Sequence, residues 1–167
     1  MGDYSISKYQ PELYDDTGCY RRNEWISVGD IGKTFYNGVL SIDEYMKVEQ
    51  RYIEAAMTLA RLSGCTYLTI CNLEGQEDIM DFVNGKPYNI QLSVIAQKIK
   101  QGLRVRISDC ADYLRLCISE YCWAIFANHR HNFSIDSGYD LYMHIHTDLP
   151  ESQVEETASA FNLYLRP

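Results

Sequence analysis

No apolar stretch of the chain reaches the roughly 18 residues a membrane-spanning helix needs, and no apolar segment follows a basic start as in a secretion signal. Myristoylation is excluded as well, since Ile6 stands where that pattern requires Ser or Thr. The expectation is a cytoplasmic protein. None of the six cysteines (Cys19, Cys65, Cys71, Cys110, Cys117, Cys122) forms a C-x-x-C pair, and several lie in apolar surroundings where a reduced thiol packs as a small hydrophobe. That argues against zinc and redox roles and predicts reduced, mostly buried thiols. A phosphate loop is missing too. In "SVGDIGKTF" the pattern G-x-x-x-x-G-K-S/T ending at Gly32-Lys33-Thr34 needs glycine at position 27, which is Ser27, and Asn37-Gly38 imposes a turn where the loop's helix should run. There is no G-x-S-x-G elbow, and the one cysteine close in sequence to a histidine, Cys122, sits in a stretch that reads as buried. Nothing points to nucleotide binding or nucleophilic catalysis, and neither an enzyme nor a cofactor is expected.

Basic residues are scarce: 15 Lys and Arg face 23 Asp and Glu, a net charge of −8 that repels phosphate backbones and anionic lipid. A basic protein partner fits this balance, with no direct nucleic-acid or membrane binding. The charges are also segregated. Glu74, Glu77, Asp78 and Asp81 form one tract without a base, Asp136, Asp140, Asp148, Glu151, Glu155 and Glu156 a second, and Lys86, Lys98, Lys100, Arg104 and Arg106 lie between them uninterrupted by an acid.

What is present is a globular composition, 46% apolar over 167 residues, enough for one domain with its own core. Residues 1–24 are polar and turn-rich and are expected to form an irregular segment docked by its tyrosines. "WISV" reads as a short strand, followed by turns at Gly29, Gly32 and Asn37-Gly38. "SIDE" at Ser41 to Glu44 is a capping box, and Tyr45, Val48, Tyr52, Ala56 and Leu59 then recur at helical spacing up to a stop at Gly64. "CTYLTICNLE" reads as a strand, a second helix is predicted from about Asn89 to Gln101 with a stop at Gly102, and a third from Ser108. "CWAIFA" is apolar on both parities, as a central strand is, while "HNFSID" and "YDLYMHIH" alternate around a turn at Asp136-Ser137-Gly138. Asp148 with Glu151 repeats the capping spacing ahead of a C-terminal helix carrying Val154, Ala158, Phe161 and Leu165. The sum is an α+β fold, a mainly antiparallel sheet packed against about four helices in a single domain, 1–167.

Histidines 144 and 146 raise the question of a metal. Alternate residues of a strand face opposite sides of a sheet, so Asp140, Tyr142, His144 and His146 share one face and Tyr139, Leu141, Met143 and Ile145 the other. With the turn at Asp136 to Gly138, Ile135 pairs near Tyr139 and His131 falls opposite Met143, pointing away from His144 and His146. A metal would then need Asp140 or Asp148 as further ligands, which leaves a small metal-dependent hydrolase at His144 and His146 as the alternative to a recognition face. Tyrosine pairs a rigid apolar body with a polar tip, and among fourteen tyrosines Tyr142, beside Asp140 and His144, is best placed for contact with a partner. Tyr14 and Tyr88 are weaker candidates.

Two stretches, "NEWISVGDIGKTFYNGVLSIDEYMKVEQRYIEAA" and "FSIDSGYDLYMHI", resemble immunity proteins of bacterial polymorphic toxin systems, in particular those paired with contact-dependent growth inhibition toxins. The resemblance implies a cytoplasmic protein that binds and blocks one cognate toxin domain, often a nuclease, here expected to be a ribonuclease such as an EndoU-type enzyme. It carries over no binding residue. The acidic balance agrees, because a nuclease presents a basic groove that an acidic inhibitor complements. The expected contact residues are Glu74, Glu77, Asp78, Asp81, Asp140, Tyr142 and His144.

Overall fold

The computed structural model describes residues 2–75 and 91–166. Glu77, Asp78, Asp81, Lys86 and Tyr88 lie outside the described residues. The chain builds strand β1 (Gly2–Ser7), a small hairpin β2 (Thr34–Phe35) and β3 (Gly38–Val39), helix α1 (Ile42–Leu62) and strand β4 (Tyr67–Glu74). Helix α2 (Gln91–Ala96), β5 (Arg104–Arg106), α3 (Cys110–Ile118), β6 (Trp123–Asn128), β7 (Phe133–Ser137), β8 (Tyr142–Thr147), α4 (Glu151–Ala160) and β9 (Tyr164–Leu165) follow. This is the expected α+β class. Seven strands form one sheet in the order β5-β4-β6-β7-β8-β1-β9, with neighbours antiparallel throughout.

Pairing sorts the sheet residues by face. Ile70, Phe126, Ile135, Ile145, Met143 and Ile6 lie on one face and join a single core with Tyr45, Tyr52 and Leu59 of α1, Leu114 of α3 and Val154 of α4. Burying each large apolar side chain contributes roughly 1.5–3 kcal/mol. The opposite face carries Thr69, Ser134, Asp136, His144, His146, Ser5 and Asp3, and is polar.

Helix α1 follows its sequence signals: the Ser41 hydroxyl accepts from Glu44 N–H at 3.1 Å, and Tyr45, Val48, Tyr52, Ala56 and Leu59 are all buried. The reciprocal half of the capping box is replaced, because the Glu44 carboxylate accepts from the Asn37 amide at 3.0 Å. Gly64 ends the helix at φ 80°, where Gly64 N–H meets Arg61 C=O and Cys65 N–H meets Ala60 C=O, the paired bonds of a Schellman stop.

Elsewhere the structure corrects the sequence reading. The chain start is a strand, β1, inserted between β8 and β9. "WISV" is not a strand, since the Asp30 carboxylate captures the N–H groups of Ile26 (2.9 Å) and Ser27 (3.3 Å) and holds a turn instead. Helix α2 stops at Ala96 rather than near Gln101, with the N–H groups of Lys98 and Ile99 both closing on Ile95 C=O. Asp148 does not cap α4. It accepts from the Asn132 amide at 2.8 Å, and Pro150 is the residue before the helix.

The β7–β8 hairpin turns through Gly138 to Leu141, so Ile135 pairs with Ile145, Asp136 with His144 and Ser134 with His146. The slip relative to the shorter turn is even, from Tyr139 to Ile145, so Tyr142, His144 and His146 keep their common face while Asp140 moves from strand to loop. His131 does not reach Met143. It sits in a 3-10 turn against Gly64, where an added Cβ would come within 3.1 Å of its Nδ1. All six cysteines are free thiols: Cys65, Cys110, Cys117 and Cys122 are buried, Cys71 is half-buried and Cys19 is exposed. Burial pushes the Cys65 thiol up to about 11 and that of Cys110 up to about 12. Among the described residues no helix is long and apolar enough to cross a membrane.

A candidate recognition surface at one end of the sheet

Antiparallel pairing brings the end of β4, the start of β6, the end of β7 and the start of β8 to one edge of the fold. Glu74 pairs there with Trp123, after a register irregularity that begins at Cys71. Asn72 within it takes the left-handed conformation at φ 49°. The Trp123 ring faces Gly75, at φ 61°, so closely that a Cβ would meet it at 3.5 Å, and packs on Tyr139 with ring centroids 5.7 Å apart. Trp123 is 36% exposed and Tyr139 73%. The two rings together form a small exposed aromatic patch.

Glu74 lies across from Trp123 in the β4–β6 pairing, and Asp140 follows Tyr139 on the loop. Glu120 is exposed at φ 61°, and its carboxyl is pushed up first by desolvation from its surroundings and then by the negative charges of Asp140 and Asp30. Asp140 and Leu141 are both left-handed, at φ 56° and 57°. Each such non-glycine residue costs on the order of 1–2 kcal/mol and persists only where its surroundings fix it. Tyrosines do the fixing: Tyr9 donates to Asp140 C=O at 2.8 Å and Tyr52 to Leu141 C=O at 2.7 Å. Tyr52 in turn accepts from Lys8 N–H at 2.7 Å, so the loop is tied to α1 and to the N-terminal segment together.

The same tyrosines change the place of Tyr142. Its hydroxyl is 2.7 Å from that of Tyr14, its ring centroid 5.4 Å from that of Tyr9, and Arg166 lies 5.2 Å over the ring. Burial and the Tyr14 contact push its phenol up. Tyr142 is thus half-covered by the chain's own start, and Tyr139 is the tyrosine left open beside it.

His144 is exposed on the outer face opposite Asp136 and Ser5, one step beyond this edge. Asp136 is pushed up by burial and held partly down by His144. Beyond them His146 has both ring nitrogens engaged, Nδ1 with Asp3 Oδ1 at 2.7 Å and Nε2 with Asn132 Oδ1 at 3.3 Å. Asp3, Ser5, Ser134, Asp136, His144 and His146 border a cleft of about 270 Å³. For a metal this set fits poorly: both nitrogens of His146 are already used, and among the described residues no three His, Cys, Asp or Glu side chains converge.

Of the expected contact residues the structure therefore gathers Glu74, Asp140 and, half-covered, Tyr142, and sets His144 slightly apart. Trp123, Tyr139 and Glu120 were not found from sequence. Trp123 opens the apolar "WAIFA" run and reads as core, while Tyr139 reads as strand until the turn is lengthened. The one usable signal was "SGYD", since Gly138 and Asp140 are turn residues that place Tyr139 on a loop tip. Comparison with protein-family models, with curated proteins and with solved structures finds no match for the chain.

Proposed function

We propose that this chain is an immunity protein: a non-catalytic binder that neutralises a basic toxin domain, expected to be a ribonuclease, by covering its substrate groove in the cytoplasm. The observation that carries the reading is the open Trp123 and Tyr139 pair, with Glu74 paired across from Trp123 and Asp140 next to Tyr139 on left-handed backbone that the tyrosine hydrogen bonds hold in place. An aromatic face rimmed by carboxylates suits Lys and Arg, which gain ion pairing at the rim and cation–π attraction over the rings. These are the side chains that line a groove built to grip RNA. A net charge of −8 adds long-range attraction to the same partner.

The test is co-expression with a toxin domain, sought first in the gene immediately upstream. Wild-type chain should restore growth and bind the purified domain, and a Trp123→Ala, Tyr139→Ala double variant that folds normally should lose both. Full protection by that variant would remove this edge from the interface. Failure of the wild-type chain to bind the domain would remove the proposal itself.

A further inference from the structure

A second polar cleft lies away from the sheet edge, between the N-terminal segment, the β2–β3 hairpin, α1 and β9, and encloses about 200 Å³. Its walls bring Lys8, Arg22 and Arg51 together with Glu24 and Glu44, three cations against two carboxylates, in a chain whose overall charge is −8. Most of these charges are already used. Lys8 Nζ pairs with Glu24 Oε2 at 2.8 Å, with its side chain only 7% exposed, and lies 4.2 Å over the Trp25 ring and 4.7 Å over that of Tyr9. Glu24 also accepts from the Tyr20 hydroxyl at 2.9 Å, and Glu44 accepts from Asn37. Arg22 spreads over Tyr36, 4.6 Å from its centroid, with longer contacts to Gln10 at 3.3 Å and Glu24 at 3.7 Å.

Arg51 is different. It lines the cleft half-buried from the middle of α1 and makes no hydrogen bond or ion pair among the described residues. A guanidinium has five donors, and with none of them taken by a carboxylate of the chain they are free to grip an anion that enters the cleft. We infer that this cleft binds a carboxylate between Arg51 and Arg22. The charge count selects that class: one uncompensated positive charge matches one carboxylate, whereas a phosphate dianion would face Glu24 and Glu44 with its second charge unmatched. Size agrees, because about 300–1,000 Å³ is usual for whole drug-sized ligands and this space is smaller. The carboxylate comes from an Asp or Glu side chain of a protein partner or from a free small acid. The inference is independent of the toxin reading.

The experiment titrates the full ¹⁵N-labelled chain and follows the arginine Nε–Hε and Trp25 indole signals. N-acetyl-glutamyl amide represents a protein side chain and propionate a free acid, with N-acetyl-glutaminyl amide and inorganic phosphate as controls. Saturable shifts with either carboxylate, none with the glutamine analogue, and weaker binding of phosphate are expected, the tighter of the two carboxylates identifying the source. Arg51→Gln should weaken binding about tenfold and Arg51→Lys less, with melting curves confirming that both variants fold. No saturation with either carboxylate, tighter phosphate binding, or undiminished affinity in folded Arg51→Gln would overturn the inference.

Discussion

Glu49 is a carboxylate inside the core, with 1% of its surface exposed, four residues on from Tyr45 on the buried side of α1. Arg115 of α3 reaches it at 2.6 Å and donates to Gln50 Oε1 at 2.9 Å, linking two helices through one guanidinium. Removing one partner of such a pair takes the main countercharge from the other in low dielectric. Arg115→Ala should therefore cost about 3–5 kcal/mol in urea unfolding, whereas Glu49→Leu with Arg115→Leu should cost far less. Equal losses in the two variants would show that packing, not charge, is what Arg115 supplies. The position of Glu49 was legible in the sequence, since it falls on the Tyr45, Val48, Tyr52 stripe, but its partner was not, because contacts between helices leave no local pattern. At the surface Asp15 makes a second, pH-dependent prediction. Its Oδ1 accepts from the Thr17 hydroxyl at 2.6 Å, Thr17 N–H at 2.9 Å and Cys19 N–H at 3.0 Å, and these bonds, the Thr17 hydroxyl first, hold the carboxyl down to about 2. A depressed carboxyl stabilises the turn above its unfolded value of about 3.9 and loses that contribution as pH falls through the folded value. Backbone signals of Thr17 and Cys19 should thus titrate with a midpoint near 2, and Asp15→Asn should abolish the transition. A midpoint at the ordinary carboxylate value would contradict the hydrogen-bond account.

Three helices end in the same way, and comparing them separates what the sequence could tell from what it could not. At α1 the left-handed residue is Gly64, and at α4 it is Asn162, with Asn162 N–H on Ser159 C=O and Leu163 N–H on Ala158 C=O. At α3 it is Glu120, with Glu120 N–H on Cys117 C=O and Tyr121 N–H on Leu116 C=O. Glycine announces such a stop and glutamate does not, which is why the boundary between α3 and β6 could not be read. The same holds for the hairpin at Asp140 and Leu141, whose two left-handed residues lengthen a turn that "DSG" had seemed to close. Strand β1 escaped for another reason: "GDYSIS" has one strong apolar residue, Ile6, and its place between two strands is set by β8 and β9 at the far end of the chain. Glu120→Gly should raise stability by about 1 kcal/mol, since it relieves left-handed strain at φ 61°. The same change removes an exposed carboxylate three residues before Trp123 and should weaken binding of the proposed partner. A variant that is no more stable than wild type would mean that Glu120 makes up its backbone cost locally.

The whole molecule is a two-layer body with its charges held apart across one sheet. Arg104 and Arg106 stand on the edge strand β5, Arg104 lying 3.3 Å over the Tyr67 ring, and charged side chains there discourage another chain from adding to the edge. Glu74 stands instead at the end of β4 opposite Trp123, and Asp140 on the left-handed loop before β8. If the proposed basic partner docks on this edge, rim charges should govern the association rate and the aromatic pair the dissociation rate. Glu74→Lys with Asp140→Lys should slow association by about tenfold at low salt, a difference that shrinks as screening shortens to about 8 Å at physiological ionic strength. Tyr139→Ala should leave association nearly unchanged and speed dissociation, with a loss of about 2 kcal/mol or more if the ring is desolvated at the centre of the interface. Surface-plasmon kinetics against the proposed toxin partner over a salt series separate the two effects. A charge variant whose deficit persists at high salt would place Glu74 and Asp140 in direct, desolvated contact with the partner, and a Tyr139→Ala variant that only slows association would place the ring at the rim.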